Sequence, residues 1–98
     1  MKPIRFHPRV RHDLQEAYAY YASISDRLAE DFWNEISAAI KRIEDNPEAH
    51  HFDAAGIRRC NVKRFPYNIL FAILSDRIRI GVVRHNSRAP SFGVRRLR

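Results

Sequence analysis

The stretch GIRRCNVKRFPYNILFAILSDRIRIGVVRH, Gly56 to His85, decides the fold. Ile57 to about Arg64 reads as one strand. Phe65-Pro66 interrupts it, because proline cannot donate to a ladder. Tyr67 to Ser75 is nearly continuous apolar chain, the pattern of a central strand buried on both faces. Ser75-Asp76 reads as a tight turn. Arg77 to Arg84 then alternates, placing Ile78, Ile80 and Val82 on one face and Arg77, Arg79 and Gly81 on the other.

Upstream, the period changes. Ile4 and Phe6 alternate with Pro3 and Arg5, which suits a short N-terminal strand. Pro8 fits the first turn of a helix. Val10, Leu14, Ala17, Tyr18 and Tyr21 recur at helical spacing as far as Ser23. Ser25 or Asp26 caps a second helix, with the stripe Leu28, Phe32, Ile36, Ala39, Ile40 and Ile43. Asn46-Pro47 stops it. Glu48 to Gly56 reads as a loop, and Asn86 to Arg98 as a polar, basic tail around Phe92. The pattern predicts an α+β fold in which an antiparallel-rich sheet of about four strands packs on an N-terminal helical hairpin, in the order β-α-α-β-β-β. One domain spans residues 1–98, and the uncovered sheet face is expected to carry many of the arginines.

Composition narrows the function. The chain has 98 residues, 45% of them hydrophobic and 30% charged, which suits a small globular domain rather than a disordered chain. The longest uninterrupted apolar run, Ile69 to Leu74, is six residues; a bilayer span needs about 20. The N-terminus has no apolar signal region, and the single cysteine, Cys60, excludes an internal disulfide and zinc-type cysteine spacing. A cytoplasmic protein without membrane contact, and without a cofactor or metal, is expected. The net charge is +7, unevenly spread: residues 1–55 hold 7 basic and 10 acidic side chains, residues 56–98 hold 11 basic and one acidic, Asp76. One cationic face suits a phosphate backbone, an acidic protein segment, or simply solubility.

Alternation sets Arg59, Asn61 and Lys63 on one face of the basic strand and Arg58, Cys60, Val62 and Arg64 on the other. The first set is a candidate phosphate-tracking row; a solvated strand face is the plainer alternative. In Arg84-His85-Asn86-Ser87-Arg88, His85 is a candidate general base or acid and Arg88 a candidate for stabilising phosphate charge, against a purely structural histidine. His50, His51 and Asp53 lack a further metal ligand at a telling spacing and read as surface groups. Cys60 reads as a buried, inert thiol. Tyr20 and Trp33 lie off the helical stripes and mark a candidate apolar patch.

Phe6-His7-Pro8 before Asp13 to Tyr21 (DLQEAYAYY), then Arg27 to Pro47, Gly56 to Ile73 (GIRRCNVKRFPYNILFAI) and Val82 to Pro90 (VVRHNSRAP) resemble the RelE/ParE toxin family of type II toxin–antitoxin modules. The resemblance implies a small, basic bacterial toxin held inactive by a cognate antitoxin, whose acidic segment wraps it in a hetero-oligomer. It also implies one of two targets. RelE-like members cut messenger RNA in the ribosomal A site; ParE-like members poison DNA gyrase. In the nuclease branch an arginine commonly follows the aromatic that opens the third strand, and a tyrosine or histidine near the C-terminus is often catalytic. Here Asn68 and Phe92 stand at those places, and Phe92 cannot transfer a proton. Arg59 and Arg88 fall where that branch has basic residues, with His85 near. A ParE-like gyrase inhibitor is therefore expected. The alternatives are a RelE-like ribonuclease using His85, Arg59 and Arg88, or a toxin fold that has lost its toxicity. Target or antitoxin contacts are expected at Arg59, Asn61, Lys63, Arg64, Asn68, Arg84, Arg88 and Phe92.

Overall fold

The computed structural model describes residues 2–54 and 56–98. The chain begins with a short strand, β1 (Ile4–Phe6), and turns at Pro8 into helix α1 (Val10–Ala22). Helix α2 (Asp26–Asp45) follows after a short link. Ser25, in extended conformation, accepts a 2.9 Å hydrogen bond from the Leu28 amide and so satisfies one of the free donors of the first turn. At the other end of α2, the Arg42 guanidinium donates to the Asn61 carbonyl at 3.1 Å, tying the helix to the sheet.

The sheet has five strands rather than about four: β1 is joined by β2 (Phe52–Ala54), β3 (Ile57–Asn61), β4 (Tyr67–Ile73) and β5 (Ile78–His85). Their order is β1-β5-β4-β3-β2, and each neighbouring pair is antiparallel except β1 and β5, which run parallel. The extra strand, β2, lies inside the segment expected to be a loop. It pairs with β3 through Phe52 and Arg58, and the return at Gly56 uses a φ of +73°.

One face of the sheet lies against the helices. Phe32, Ile36, Ile43, Ile69, Phe71, Ile78 and Ile80 are buried there with Cys60 and Val62. Each such large side chain contributes roughly 1.5–3 kcal/mol by leaving water. Tyr21, Phe32 and Phe65 pack with ring centroids 5.0–5.3 Å apart, and Tyr67 lies 5.1 Å from Phe32.

The alternation expected in β5 breaks at Gly81. Leu70 pairs with Val82 but Phe71 pairs with Ile80, so Gly81 is an extra residue. Such a bulge exchanges the faces of everything beyond it. Ile78, Ile80 and Val83 face the helices, whereas Val82 faces the other way with Ile57 and Leu70.

That second face is not open. Phe92, Val94 and Leu97, in the segment expected to be a polar tail, pack on Ile57, Leu70 and Val82. The segment ends in a 3-10 helix (Val94–Leu97). Two glycines permit the contact. A Cβ on Gly81 would lie 2.4 Å from Leu97 Cγ, and one on Gly93, whose φ is +80°, 2.7 Å from Val82 Cβ. Among the described residues, no helix is long and apolar enough to cross a membrane.

Candidate functional site

The bulge delivers Arg84 to the second face, under the C-terminal segment. Its side chain is 3% exposed. Nε donates to Asn68 Oδ1 at 3.0 Å, and Nη1 donates to the carbonyls of Pro90 (2.8 Å) and Phe92 (2.9 Å). Nη2 lies 3.7 Å from Asp53. Burial lowers the Arg84 pKa; Asp53 works against that and Arg59 adds to it. Asn68 is 1% exposed and donates its amide to Asn86 Oδ1 at 2.9 Å. Arg84 and Asn68, expected as contact residues, are instead committed to each other and to the chain's own end. A guanidinium taken out of water needs internal acceptors, and here Asn68 takes Nε and the C-terminal carbonyls take Nη1.

The other expected contacts divide. Arg59 donates to Asn61 Oδ1 at 2.9 Å and lies 3.7 Å from Asp53, on the same face as Arg84 and still partly accessible. The row does not continue to Lys63, because β3 ends at Asn61. Arg64 has a left-handed backbone (φ 69°) and turns back to α2, 3.4 Å from Asp31 and 3.8 Å from Glu35. Lys63 is exposed. The guanidinium groups are thus spread along two sides of the sheet and partly offset by the protein's own carboxylates, which replaces the single cationic platform expected. Arg58 donates to the carbonyls of His50 and Glu48 and stacks 4.0 Å over Phe52.

A second group lies at the paired ends of β4 and β5, against α1, and adjoins the first, since Arg84 and Phe92 line the same cleft. A cleft of about 260 Å³ is lined there by residues that include Arg9, Glu16, Tyr67, His85 and Arg88. His85 Nδ1 accepts a hydrogen bond from the Ser87 amide at 3.0 Å, which leaves Nε2 as the ring's N–H donor. The Tyr67 and His85 rings meet edge to face at 5.1 Å. Burial raises the Tyr67 pKa, reinforced by Tyr21, Glu16 and Tyr20 and opposed by Arg88. Arg88 stacks 4.6 Å over Phe92 and lies 3.9 Å from Glu16. In the wall of the cleft, Asp13 accepts from Arg96 at 2.7 Å and from the Val83 amide at 3.2 Å.

The remaining candidates stay apart from both groups. His50 packs its ring edge to face on Phe71 at 5.5 Å. Among the described residues no cluster of three or more His, Cys, Asp or Glu is placed to hold a metal ion. Cys60 is buried, and desolvation raises its thiol pKa despite the nearby Arg42. Tyr20 and Trp33 are exposed, the latter edge to face with Tyr18. Sequence reasoning placed Asp53 among surface groups and gave no role to Asn86 or Tyr67. The one signal available was Asn68, a polar residue in an otherwise apolar strand, which demands a buried partner.

Residues 4–90 match the family described as ParE toxin of type II toxin-antitoxin system, parDE. The structure described as the chromosomal ParDE TA system from P. aeruginosa has a similar fold, with a TM-score of 0.77 over 87% of this chain and 96% of that one, at 18% sequence identity. No curated protein matches the chain.

Proposed function

We propose, from the premise that this chain belongs to the ParE toxin family of type II toxin–antitoxin systems, that it inhibits growth by binding DNA gyrase and is silenced by a cognate antitoxin. The observation that carries this reading is the Arg84–Asn68 lock beneath the C-terminal segment. Cleavage of RNA needs a base for the 2′-hydroxyl, free cations at the phosphate and an acid for the leaving oxygen. On the second face, the buried arginine commits Nε and Nη1 to Asn68 and the C-terminal carbonyls and holds Nη2 3.7 Å from Asp53, Asn68 carries no charge, and Phe92 has no proton to give. A binding module has no such requirement.

The antitoxin is an acidic segment that orders as it wraps the toxin. Its carboxylates meet the cations that remain accessible, Arg59, Lys63 and Arg88, and affinity falls as salt rises. An affinity independent of salt would remove that electrostatic component.

The test is DNA supercoiling by purified gyrase. The toxin is expected to block it, and addition of the antitoxin to restore it. Undisturbed supercoiling at saturating toxin overturns the target assignment. The Arg59→Ala/Arg88→Ala double variant is expected to fold and to be less toxic; full toxicity would remove both from the site.

A further inference from the structure

We propose that the cleft between α1 and the paired ends of β4 and β5 binds a phosphate group, presented by a small phosphate ester. Of the donors that line it, four come from separate elements and are not committed to the fold: Arg9 before α1, Tyr67 at the start of β4, His85 at the end of β5, and Arg88 in the turn beyond. The contact from Ser87 to His85 Nδ1 leaves Nε2–H to donate. The Tyr67 hydroxyl keeps its proton and donates as well.

Charge in the cleft favours an anion. Asp13 is already matched by Arg96 and the Val83 amide. Glu16 is mostly exposed and sits 3.9 Å from Arg88, while its other oxygen reaches His12 at 3.0 Å. It is therefore free to withdraw from Arg88 when a stronger acceptor arrives. Among the described residues Arg9 makes no side-chain ion pair, and Arg88 only that long one. The number of donors selects phosphate over carboxylate. A carboxylate has two oxygens, whereas a phosphate monoester presents three to groups arriving from different directions. A volume of about 260 Å³ suits a phosphate with a small attached group. This inference is independent of the gyrase assignment.

The test is NMR titration of the full chain with inorganic phosphate at constant ionic strength, observing the His85 and Tyr67 rings. Saturable shifts in the millimolar range are expected. Loss of one charge-assisted donor is expected to weaken binding about 10-fold or more in Arg88→Ala and His85→Ala. Arg9→Ala, altered at an exposed position, should do the same with the fold undisturbed. Arg77→Ala, at the distant turn beside Asp76, should bind as the unaltered chain does. Adenosine monophosphate and ribose 5-phosphate distinguish the sources: preference for the first supports a nucleotide, and equal binding of both supports any small phosphate ester. Shifts that do not saturate, that persist unchanged in Arg9→Ala and Arg88→Ala, or that acetate reproduces at equal concentration overturn the proposal.

Discussion

The two faces of the sheet are closed by different physics. The face under the helices is apolar, filled by Phe32, Ile36, Phe71 and the ring cluster around Tyr21. The opposite face has a small apolar patch, Ile57, Leu70 and Val82, and beside it a buried arginine that holds the C-terminal segment by its carbonyls. Burial of apolar area is non-directional and tolerates imperfect geometry. The arginine lock depends on every partner being in place, since a buried cation left unmatched is costly. A high count of arginines therefore does not make an open cationic surface: Arg84 is spent on the protein's own architecture, and the accessible charge lies at the margins.

Substitutions can break this contrast. The largest effects are expected at its two centres. Phe32→Ala should cost about 3–5 kcal/mol through the cavity it leaves, and Arg84→Ala about 1–3 kcal/mol for each buried acceptor it strands. Denaturant unfolding measures both costs. Hydrogen exchange separates them: Arg84→Ala should expose the amides of residues 92–98 before the rest, whereas Phe32→Ala should lower protection throughout. Uniform loss in both variants would contradict a separately held C-terminal segment.

Gly81→Ala comes next. Its methyl would meet Leu97, and overpacking of this kind costs about 1–3 kcal/mol. The same exchange measurement should again show the loss concentrated in the last residues. Ser25→Ala, on the helical side, should cost about 1 kcal/mol in the same unfolding assay by leaving the Leu28 amide without its cap. No change in the melting curve would show that solvent replaces the cap at no cost.

The smallest effect is a pH dependence at His7. Burial lowers its pKa, with Arg79, Arg96 and Arg9 acting in the same direction and Asp13 against. The folded state therefore favours the neutral ring, whose Nδ1 accepts from the Arg9 amide at 3.1 Å. Its contribution is present above the ordinary histidine range and is lost as pH falls through the depressed value. His7 should titrate below that range by NMR, and His7→Ala should lose less stability than the unaltered chain between about pH 7 and pH 5.

The helical hairpin was legible in the sequence because its stripes are periodic and its stops are chemical: Ser25 caps α2 and Asn46-Pro47 ends it. The three strands β3 to β5 were legible, β4 from its nearly continuous apolar run and β5 from its alternation. Strand β2 was not, since three residues with an aspartate in the middle give no period. The second face was not either. Gly81 shifts the pleat by one residue, and a bulge has no hydropathy signature. Phe92, Val94 and Leu97 reach the sheet through a left-handed turn at Gly93 and a short 3-10 helix, so they repeat at neither helical nor strand spacing. Without that cover Arg84 reads as a surface cation. The candidate site shares this fate: its residue types were visible, but which of them face solvent depended on a chain end with no pattern of its own.

The decisive measurement is cleavage of messenger RNA on programmed ribosomes by the purified toxin. With Arg84 and Asn68 locked together and Phe92 in place of a proton donor, we expect the message to remain intact at toxin concentrations that halt supercoiling by gyrase. Cleavage in the ribosomal A site, with gyrase unaffected, would contradict the account.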